Sequence, residues 1–362
     1  MKLTIETKVL QAMVNVALRG ASHDKTDVMT NLFDIYYNDG RISITTTDSA
    51  NYLTVYGNAE ADEKMQFCVL FDKFSKLVAK TSTEKIKLEL KDDHLLFVGN
   101  GSYKIPFMLD VDGSMVRMPI HKISDVSSTG EIETSVIRDI VMHNKPSLSV
   151  NKDDAKMYLT GYLCVKDCVM SSDEINLCQN NVTTIMDKAI IPANVFDILS
   201  TSKSDKITYN LGDNEVEFIC SDMKLYCSFI NGIEKYPEAI CRRIMDDPMP
   251  SKCTVSRTLI LNTLNRIALF IDAKQRNVVR LTFTKDGIAL ATIDNDAVET
   301  IEYQGSENFN DFTCLADVDH LRSVLLSYDV ESIDIEYGVE QVLRISNDLT
   351  KHATALRRER KK

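Results

Sequence analysis

The 362-residue sequence contains the same pattern of predicted helices and strands three times, at a period near 120 residues. Each copy opens with a segment whose apolar residues follow the 3.6-residue period of one helix face. These segments, TKVLQAMVNVALRG, TSVIRDIVMHNK and SRTLILNTLNRIALFIDA, start 127 and 122 residues apart. A repeat of this length is the size of a domain, so the pattern predicts three related domains.

Alternating strands and a second helix complete each copy. The strands KIKLEL, KITYNL and SIDIEY begin their apolar alternation at Ile86, Ile207 and Ile333, spaced 121 and 126 residues apart. Period-2 alternation indicates sheets with one buried face. The predicted fold class is α+β, with two helices on one face of an antiparallel sheet in each copy. Pro, Ser, Gly and Asp cluster between the copies, which predicts domains at 1–124, 125–250 and 251–362.

Composition excludes several classes of protein. The net charge of −11 argues against a surface that is basic throughout, although it leaves room for a local basic region. No apolar run is long enough to span a membrane. The first residues, MKLTIETKVL, contain no apolar signal-peptide core. We therefore expect a cytoplasmic protein with no membrane partner.

The nine cysteines contain no C-x-x-C pair. Cys164 and Cys168 with Cys220 and Cys227 could gather around a metal, but their local sequences read as strands with small apolar residues. Free buried thiols in a reducing compartment are the favoured interpretation. We expect no metal site and no cofactor.

The chain shows no catalytic motif. It contains no phosphate-binding loop, no H-E-x-x-H and no nucleophile elbow, and its six histidines lack ligand spacing. Asp48, Asp173 and Asp294 recur at matching places in the three copies. Carboxylates in three separate domains cannot converge on one site, so a repeated turn or strand-end role is favoured over general acid–base chemistry.

Several stretches resemble the bacterial DNA polymerase sliding clamp, the beta subunit of the replicative polymerase. The most specific are MYLTG and the N-G-x-x-x-Y-P run at Asn231–Pro237. The others, in the family's order along the chain, are MKLTIE, TTTDSANYLTV, YLTGYL, SSDEINL, NVVRLTF and GIALATIDNDAVETIEY. The divergence elsewhere suggests a phage or mobile-element version.

The resemblance implies a non-catalytic ring. Two three-domain subunits would pair head to tail as a homodimer, with helices lining a central hole and sheet outside. Double-stranded DNA would pass through the hole without sequence preference. The ring would tether the replicative polymerase and would also bind the clamp-loader complex. The alternative is a clamp-like scaffold or inhibitor that binds replication proteins without encircling DNA.

Helices that face phosphates should be less acidic than the rest of the chain. The predicted helices, spanning 7–19, 72–80, 134–145, 193–203, 257–270 and 317–328, contain eleven Lys or Arg against five Asp, a net +6. Since the whole chain carries −11, everything else carries −17. Contacts with phosphate alone would let the ring slide. The expected DNA-binding residues on helix and rim loops are Lys25, Lys73, Lys76, Lys80, Lys152, Lys274, Gln275 and Arg276.

The resemblance also implies a hydrophobic pocket for partner peptides between the second and third domains. The matching positions are Leu159, Ser172, Glu174, Ile175, Asn176, Leu177, Ile244 and Met245. This chain departs from the family where Glu174, Ile175 and Asn176 replace the usual Gly-His-Arg. It departs again at the basic end, RRERKK, which replaces an apolar strand. Dedicated partners would explain both departures.

The resemblance places the subunit interface between an edge strand of the first domain and the third domain. Tyr103 and Ile105 would lie on one side, and Phe270 and Ile271 on the other. An apolar centre is expected at such a head-to-tail contact. The plainer interpretation of Phe270 and Ile271 is that they are core residues of their helix.

Overall fold

Each of the three sequence copies forms the same succession of elements: strand, helix, strands, helix, strands. The computed structural model describes residues 1–22, 27–151, 153–184, 186–271 and 277–357. The first copy contains β1 (Lys2–Glu6), α1 (Thr7–Ala17), β2 (Leu32–Asn38), β3 (Arg41–Thr47), β4 (Asn51–Asn58), β5 (Glu60–Ala61), β6 (Met65–Leu70), α2 (Phe71–Lys80), β7 (Lys85–Leu90), β8 (His94–Val98) and β9 (Ser102–Pro106).

The second copy follows the same order and ends in an additional helix. It contains β10 (Ser128–Glu133), α3 (Thr134–Asn144), β11 (Gly161–Val165), β12 (Cys168–Ser172), β13 (Asn176–Asn180), β14 (Ala189–Pro192), α4 (Ala193–Leu199), β15 (Lys206–Leu211), β16 (Glu215–Ile219), β17 (Met223–Ser228) and α5 (Glu238–Asp246).

The third copy restores the order of the first. It contains β18 (Ser251–Ser256), α6 (Arg257–Ala268), β19 (Val278–Thr284), β20 (Gly287–Ala291), β21 (Val298–Ile301), β22 (Gly305–Glu307), β23 (Phe312–Asp317), α7 (Val318–Ser327), β24 (Ser332–Val339), β25 (Val342–Ser346) and β26 (Thr350–Ala355). The predicted α+β class and the order of elements are confirmed.

The chain divides into two compact units, and both take residues from the second copy. Unit 1 comprises Met1–Ile137 and Asn194–Phe229, and unit 2 comprises Arg138–Ala193 and Ile230–Lys362. This division follows the strand pairing, because β17 pairs with β4 in unit 1 and β26 pairs with β13 in unit 2. The predicted division into domains at 1–124, 125–250 and 251–362 stays a prediction.

Unit 1 is built on two antiparallel sheets. One runs in the order β5-β1-β7-β8-β9, and the other in the order β10-β15-β16-β17-β4-β3-β2-β6. Helix α1 packs against α2 and against β3 and β4. Phe33, Phe74 and Phe97 are fully buried, with edge-to-face ring contacts that centre on Phe74. The large aromatic side chains therefore fill the space between sheet and helices.

Unit 2 repeats this construction. Its sheets run in the orders β14-β11-β12-β13-β26-β25-β24-β18-β22 and β21-β20-β19-β23. Helix α6 packs against α7, β18 and β21. The rings of Phe283 and Tyr337 stack at 3.9 Å within the core beneath these helices. The same pattern of apolar strand residues thus builds both units.

A buried histidine lies in the core of unit 2. The Nδ1 atom of His352 lies 2.8 Å from the Tyr328 hydroxyl, and its Nε2 atom lies 2.8 Å from the carbonyl oxygen of His143. The His143 ring lies 5.2 Å from the Tyr328 ring. Burial lowers the pKa of His352 to about 3, although the hydrogen bond to the carbonyl opposes that shift. His352 is therefore neutral in the folded chain at neutral pH.

We expect His352 to make the fold sensitive to acid. Its folded pKa lies below its unfolded pKa of about 6.5, so its stabilising effect is complete above pH 6.5 and declines as the pH falls towards 3. Between pH 7 and pH 5 the free energy of unfolding should drop by about 2 kcal/mol from this group. Urea titrations at both pH values measure the drop, which His352→Gln should remove. Parallel profiles for wild type and variant would show that another group causes the acid sensitivity.

The cysteines and the histidines form no metal site in the described part of the chain. All nine cysteines are free thiols, and every one except the half-buried Cys220 is buried. Burial raises the pKa of Cys164 to about 12 and that of Cys168 to about 11. No group of three or more potential ligands is arranged around a common point among the described residues. None of the helices described is long and apolar enough to cross a membrane.

Candidate DNA interface, partner pocket and subunit edges

Helix α2 presents a row of lysines opposite its buried face. Phe71, Phe74 and Val78 are buried, whereas Lys73, Lys76 and Lys80 are exposed. Their spacing of three and four residues places them on one side of the helix. Lys76 pairs with Asp72 at 2.6 Å, one turn away on the same helix, but both side chains are largely exposed and the pair is weak. The row therefore offers a cationic surface without a tight internal partner.

The two arginines of α6 are more fully engaged than the lysines of α2. Arg266 on α6 donates to both carboxylate oxygens of Glu299, at 2.8 and 2.6 Å. Arg257 donates to the carbonyl oxygens of Val330 and Leu325. Side-chain positions of this kind cannot be read from a charge count. Helix α2 therefore carries an exposed row of three lysines, and Lys8 of α1, Arg19 just past it and Arg138 of α3 are further exposed cations.

The predicted rim-loop residues could not be placed. Lys25, Lys152, Lys274, Gln275 and Arg276 all lie outside the described residues. Their assignment as DNA-binding residues stays a prediction from the sequence.

The predicted pocket residues are brought together in unit 2, but their apolar side chains are covered. Leu159, Leu177 and Met245 are buried in one cluster with Cys241, and Ile244 packs against it half-buried. Helix α5 carries Cys241, Ile244 and Met245, and its apolar face covers this cluster. The residues that matched the family's pocket are therefore neighbours, with Ile244 at the surface of the group.

Helix α5 is held in place by a residue that sequence reasoning missed. The guanidinium of Arg344 donates to the carbonyl oxygens of Ile244 and Met245, at 3.0 and 2.7 Å. The same side chain lies 2.6 Å from the Glu336 carboxylate. Capping the last carbonyls of a helix with a cation is favourable. The one-turn spacing of Cys241 and Met245, shortly after Pro237, is the signal that could have indicated α5 in the sequence.

The β12–β13 turn places the remaining pocket residues. The Asp173 carboxylate accepts hydrogen bonds from the backbone N–H of Ile175 and Asn176, at 2.9 and 2.6 Å. Glu174 has a φ of +76°, in the left-handed region that favours glycine. This geometry gives a reason for the family's glycine at the matching position. Glu174 pairs with Lys156 at 2.6 Å, and Ile175 is 56% exposed.

The recurrent aspartates hold turns. Asp48 accepts from the backbone N–H of Ala50 and Asn51, just as Asp173 does in its own turn. Asp294 accepts from the N–H of Asp296 at 3.3 Å. These are Asx-type turns between paired strands. The predicted turn role of the three aspartates is confirmed.

Strands β9 and β21 each end a sheet within the described part of the chain. On β9, Tyr103 is 42% exposed, whereas the Ile105 side chain is buried in unit 1. Just past α6, the helix that packs along β21, Phe270 is 58% exposed and Ile271 packs partly on the core. Of the four predicted interface residues, Tyr103 and Phe270 thus have exposed side chains, and the interface itself stays a prediction. Ile105 could contribute only its backbone.

The sequence matches no protein-family model and no curated protein. Solved structures match over nearly the whole length. The DNA polymerase sliding clamp of Bacillus subtilis superposes with a TM-score of 0.85 at 15% identity, covering 99% of both chains. The DNA polymerase III beta subunit of Thermotoga maritima gives 0.85 at 18% identity, also covering 99% of both chains.

A third structure, the DNA polymerase III beta subunit of Borrelia burgdorferi in complex with a natural product, gives a TM-score of 0.84 at 17% identity. It covers 99% of this chain and 98% of its own. At such low sequence identities, the structural similarity shows a shared fold. The resemblance read from the sequence is confirmed at that level: this chain has the fold of the bacterial DNA polymerase III beta sliding clamps.

Proposed function

We propose that this protein is a replication processivity factor, a sliding clamp that closes around double-stranded DNA as a homodimer. The observation that carries this proposal is a pattern of strand pairing between copies. The last strand of copy two, β17, pairs with β4, which is the third strand after the first helix of copy one. The last strand of copy three, β26, pairs in the same antiparallel way with β13 of copy two.

In each inter-copy pair, the last strand of one copy pairs with the third strand after the first helix of the preceding copy. One last strand and one third strand therefore have no partner in a neighbouring copy of the same chain. Strand β9 is the last strand of copy one, and β21 is the corresponding third strand of copy three. Both end their sheets within the described residues. A second chain would satisfy both edges if its β21 paired with β9, and its β9 with β21. A head-to-tail contact of this kind repeats until it closes, which two three-copy chains would achieve as a ring.

The backbone of β9 is oriented for such pairing. Lys104 faces Leu96 on β8, as Tyr226 faces Glu217 and Ala353 faces Arg344 in the other copies. Tyr226 and Ala353 sit opposite β4 and β13 in their inter-copy pairs. The hydrogen bonds from the Tyr56 N–H to the carbonyl oxygen of Asp222 and from the Ala355 N–H to the carbonyl oxygen of Ile175 show which residues are directly hydrogen-bonded in those inter-copy pairs. In that alternation, Tyr226 and Ala353 direct their N–H groups to the neighbouring copy. By equivalence, the N–H of Lys104 is directed away from β8, to the open edge.

Apolar side chains accompany both edges. Tyr103 on β9 and Val298 on β21 are exposed, as are Leu269 and Phe270 just past the end of α6. Exposed aromatic and aliphatic groups beside an open strand are what a strand-pairing interface buries. This distribution supports the two-edge interface proposed here.

Within this proposal, DNA is held by charge and topology. The Lys73, Lys76 and Lys80 row would face phosphates in the hole, joined by the rim-loop cations Lys25, Lys152, Lys274 and Arg276 with Gln275. Such contacts carry no base information and weaken with salt, which suits a sliding ring. The protein would act in the cytoplasm as a non-catalytic accessory subunit of a DNA polymerase.

Partner proteins would dock beside α5. The half-buried Ile244 packs against the cluster that contains Leu159, Leu177 and Met245. The exposed Ile175 lies two residues before Leu177 in the chain. A short apolar peptide from the replicative polymerase or the clamp loader would contact this surface, with Ser172 and Glu174 in the adjacent turn. A dedicated set of partners would explain why α5 covers the apolar cluster and why Glu174 stands where the family has glycine.

Mass in solution tests the assembly. Light scattering at micromolar concentration should give twice the chain mass of 40.8 kDa, because both edges are satisfied only when two chains close. The clamp-like scaffold or inhibitor that does not encircle DNA predicts a monomer instead. A monomer at every concentration up to the solubility limit would contradict the clamp.

A further inference from the structure

A groove of about 670 Å³ lies on unit 1, away from the buried core and from the helix row. Its floor is the face of β2, β3, β4 and β17 that carries the side chains of Tyr36, Thr54 and Tyr226. The intervening residues of these strands, such as Ile35 and Leu53, point to the core. The chain segment 117–121 forms one wall. Volumes of this size are typical of ligand sites.

Aromatic rings line the groove near segment 117–121. The His121 ring stacks on Tyr52 at 3.9 Å and lies 5.1 Å from the Tyr226 ring. Tyr36 and Tyr56 complete the aromatic lining. Partly exposed tyrosines present rigid apolar area together with a hydroxyl, which is a common composition of peptide-binding surfaces.

The groove already holds a segment of its own chain, residues 117–121. The Asp34 carboxylate accepts the backbone N–H of Met118 at 3.1 Å and lies 3.8 Å from the Arg117 guanidinium. Asp34 is itself buried. The face thus has groups that recognise peptide backbone and side chains in cis. The volume that remains beside segment 117–121 is shaped by the same strands.

The charges in the groove leave one cation over. Arg117 is matched by Asp34, and Lys224 pairs with Glu217 at 2.5 Å. Lys64 lies 5.2 Å over the Tyr36 ring, is exposed, and has no carboxylate within ion-pair distance among the described residues. Arg41, which lies 3.8 Å over the Tyr56 ring, is not one of the lining residues and donates to the carbonyl oxygen of Ser221. The one unpaired positive charge among the lining residues therefore complements a single carboxylate. It is too little for a nucleic-acid backbone, which is bound by clusters of cations.

We propose that this outer groove binds a second class of partner: an extended peptide with aromatic side chains and one carboxylate, placed on Lys64. The site lies beside the β17–β4 junction, as the α5 pocket lies beside the β26–β13 junction. The repeat thus provides two peptide sites of different chemistry, one apolar and one aromatic and cationic. This inference goes beyond the proposed clamp function and does not require that DNA be encircled.

A designed peptide tests the groove. The probe is fluorescein-labelled, C-terminally amidated Gly-Phe-Ser-Asp-Ser-Phe-Gly, whose Phe and Asp side chains share one face when extended. It should bind the wild-type chain saturably in fluorescence anisotropy. Replacing its Asp by Asn, or the protein's Lys64→Glu, should weaken binding at least about tenfold. Lys285→Glu, an exposed lysine of unit 2, is the matched control and should not change affinity.

Further arms separate this site from the others. Ile244→Glu alters the α5 surface and should leave probe affinity unchanged, and Lys64→Glu should leave the dimer mass unchanged. Equal loss of affinity in Lys64→Glu and Lys285→Glu, or no saturable binding by wild type, would overturn the proposal. Displacement of the probe by an oligo(dT) strand would also overturn it, in favour of a nucleic-acid site. A monomeric wild-type chain that still binds the probe through Lys64 would refute the clamp but not the groove.

Discussion

Replacing Lys104 with proline should split the dimer into monomers. Proline removes the N–H that β9 directs to its open edge, and its ring would press against the incoming strand. The lost hydrogen bond is worth about 1 kcal/mol net, and the steric conflict adds to it. Since a two-subunit ring has two such contacts, dissociation should become easier by at least about a hundredfold. Sedimentation across a dilution series measures this shift.

Lys104→Ala is the matched control for that experiment. Alanine removes the same charged side chain but keeps the N–H, so the dimer should persist. The hairpin itself should tolerate proline at this position, because the N–H of Lys104 does not bond β8 in the arrangement inferred above. A dimer of unchanged stability in Lys104→Pro would place the subunit contact away from β9.

Reversing the charge of Lys73 and Lys80 should weaken DNA binding strongly. Both lysines are exposed on α2, on the side opposite its buried Phe71 and Val78. Loss of two phosphate contacts should lower the slope of log affinity against log salt by about 2. The doubly substituted chain, Lys73→Glu with Lys80→Glu, is compared with wild type in duplex-binding titrations over a range of salt concentrations.

The matched control lies on the sheet. Lys85 and Lys87 are exposed on β7, on the face opposite the buried Ile86 and Leu88. Lys85→Glu with Lys87→Glu makes the same change in net charge on the side turned away from the core and its helices. This variant should keep most of its affinity and its salt slope. Equal losses in the two variants would show that overall charge, rather than the α2 row, governs binding.

The repeated elements could be predicted because their signals are local. The apolar period of α1 and α2, the alternation in KIKLEL and the Asx turns at Asp48 and Asp173 each arise within a few residues. Three copies of the same local pattern reinforce one another. Fragments such as MYLTG in the family's order then supplied the fold, although no whole-sequence comparison matched.

The parts that escaped prediction depend on contacts between distant residues. Helix α5 is held by Arg344, about a hundred residues further along the chain, and no local pattern reports that bond. The burial of Leu177 under α5 follows from the same packing. Likewise, Arg266 counted as a free cation in the sequence but is paired with Glu299. Charge counts and apolar patterns identify candidates, while tertiary contacts decide which remain available.

Burial also changes how the α5 pocket should be tested. Leu177→Asp would place a carboxylate in an apolar cluster and would cost folding stability as well as partner binding. Ile244→Glu changes a half-buried residue at the border of the same cluster and is the sharper probe. The structure therefore separates residues that build the pocket from residues that a partner can reach.

The central claim, that the chain encircles DNA, is tested most directly by DNA topology. Subunits are mixed with nicked circular duplex at a dilution where the dimer dissociates, then concentrated so that rings close around the DNA. Gel filtration follows at a salt concentration that abolishes binding to a short duplex. A clamp should co-elute with the circle and be lost once the same DNA is cut at one site. Equal retention on circular and linear DNA, or none on either, would contradict the account.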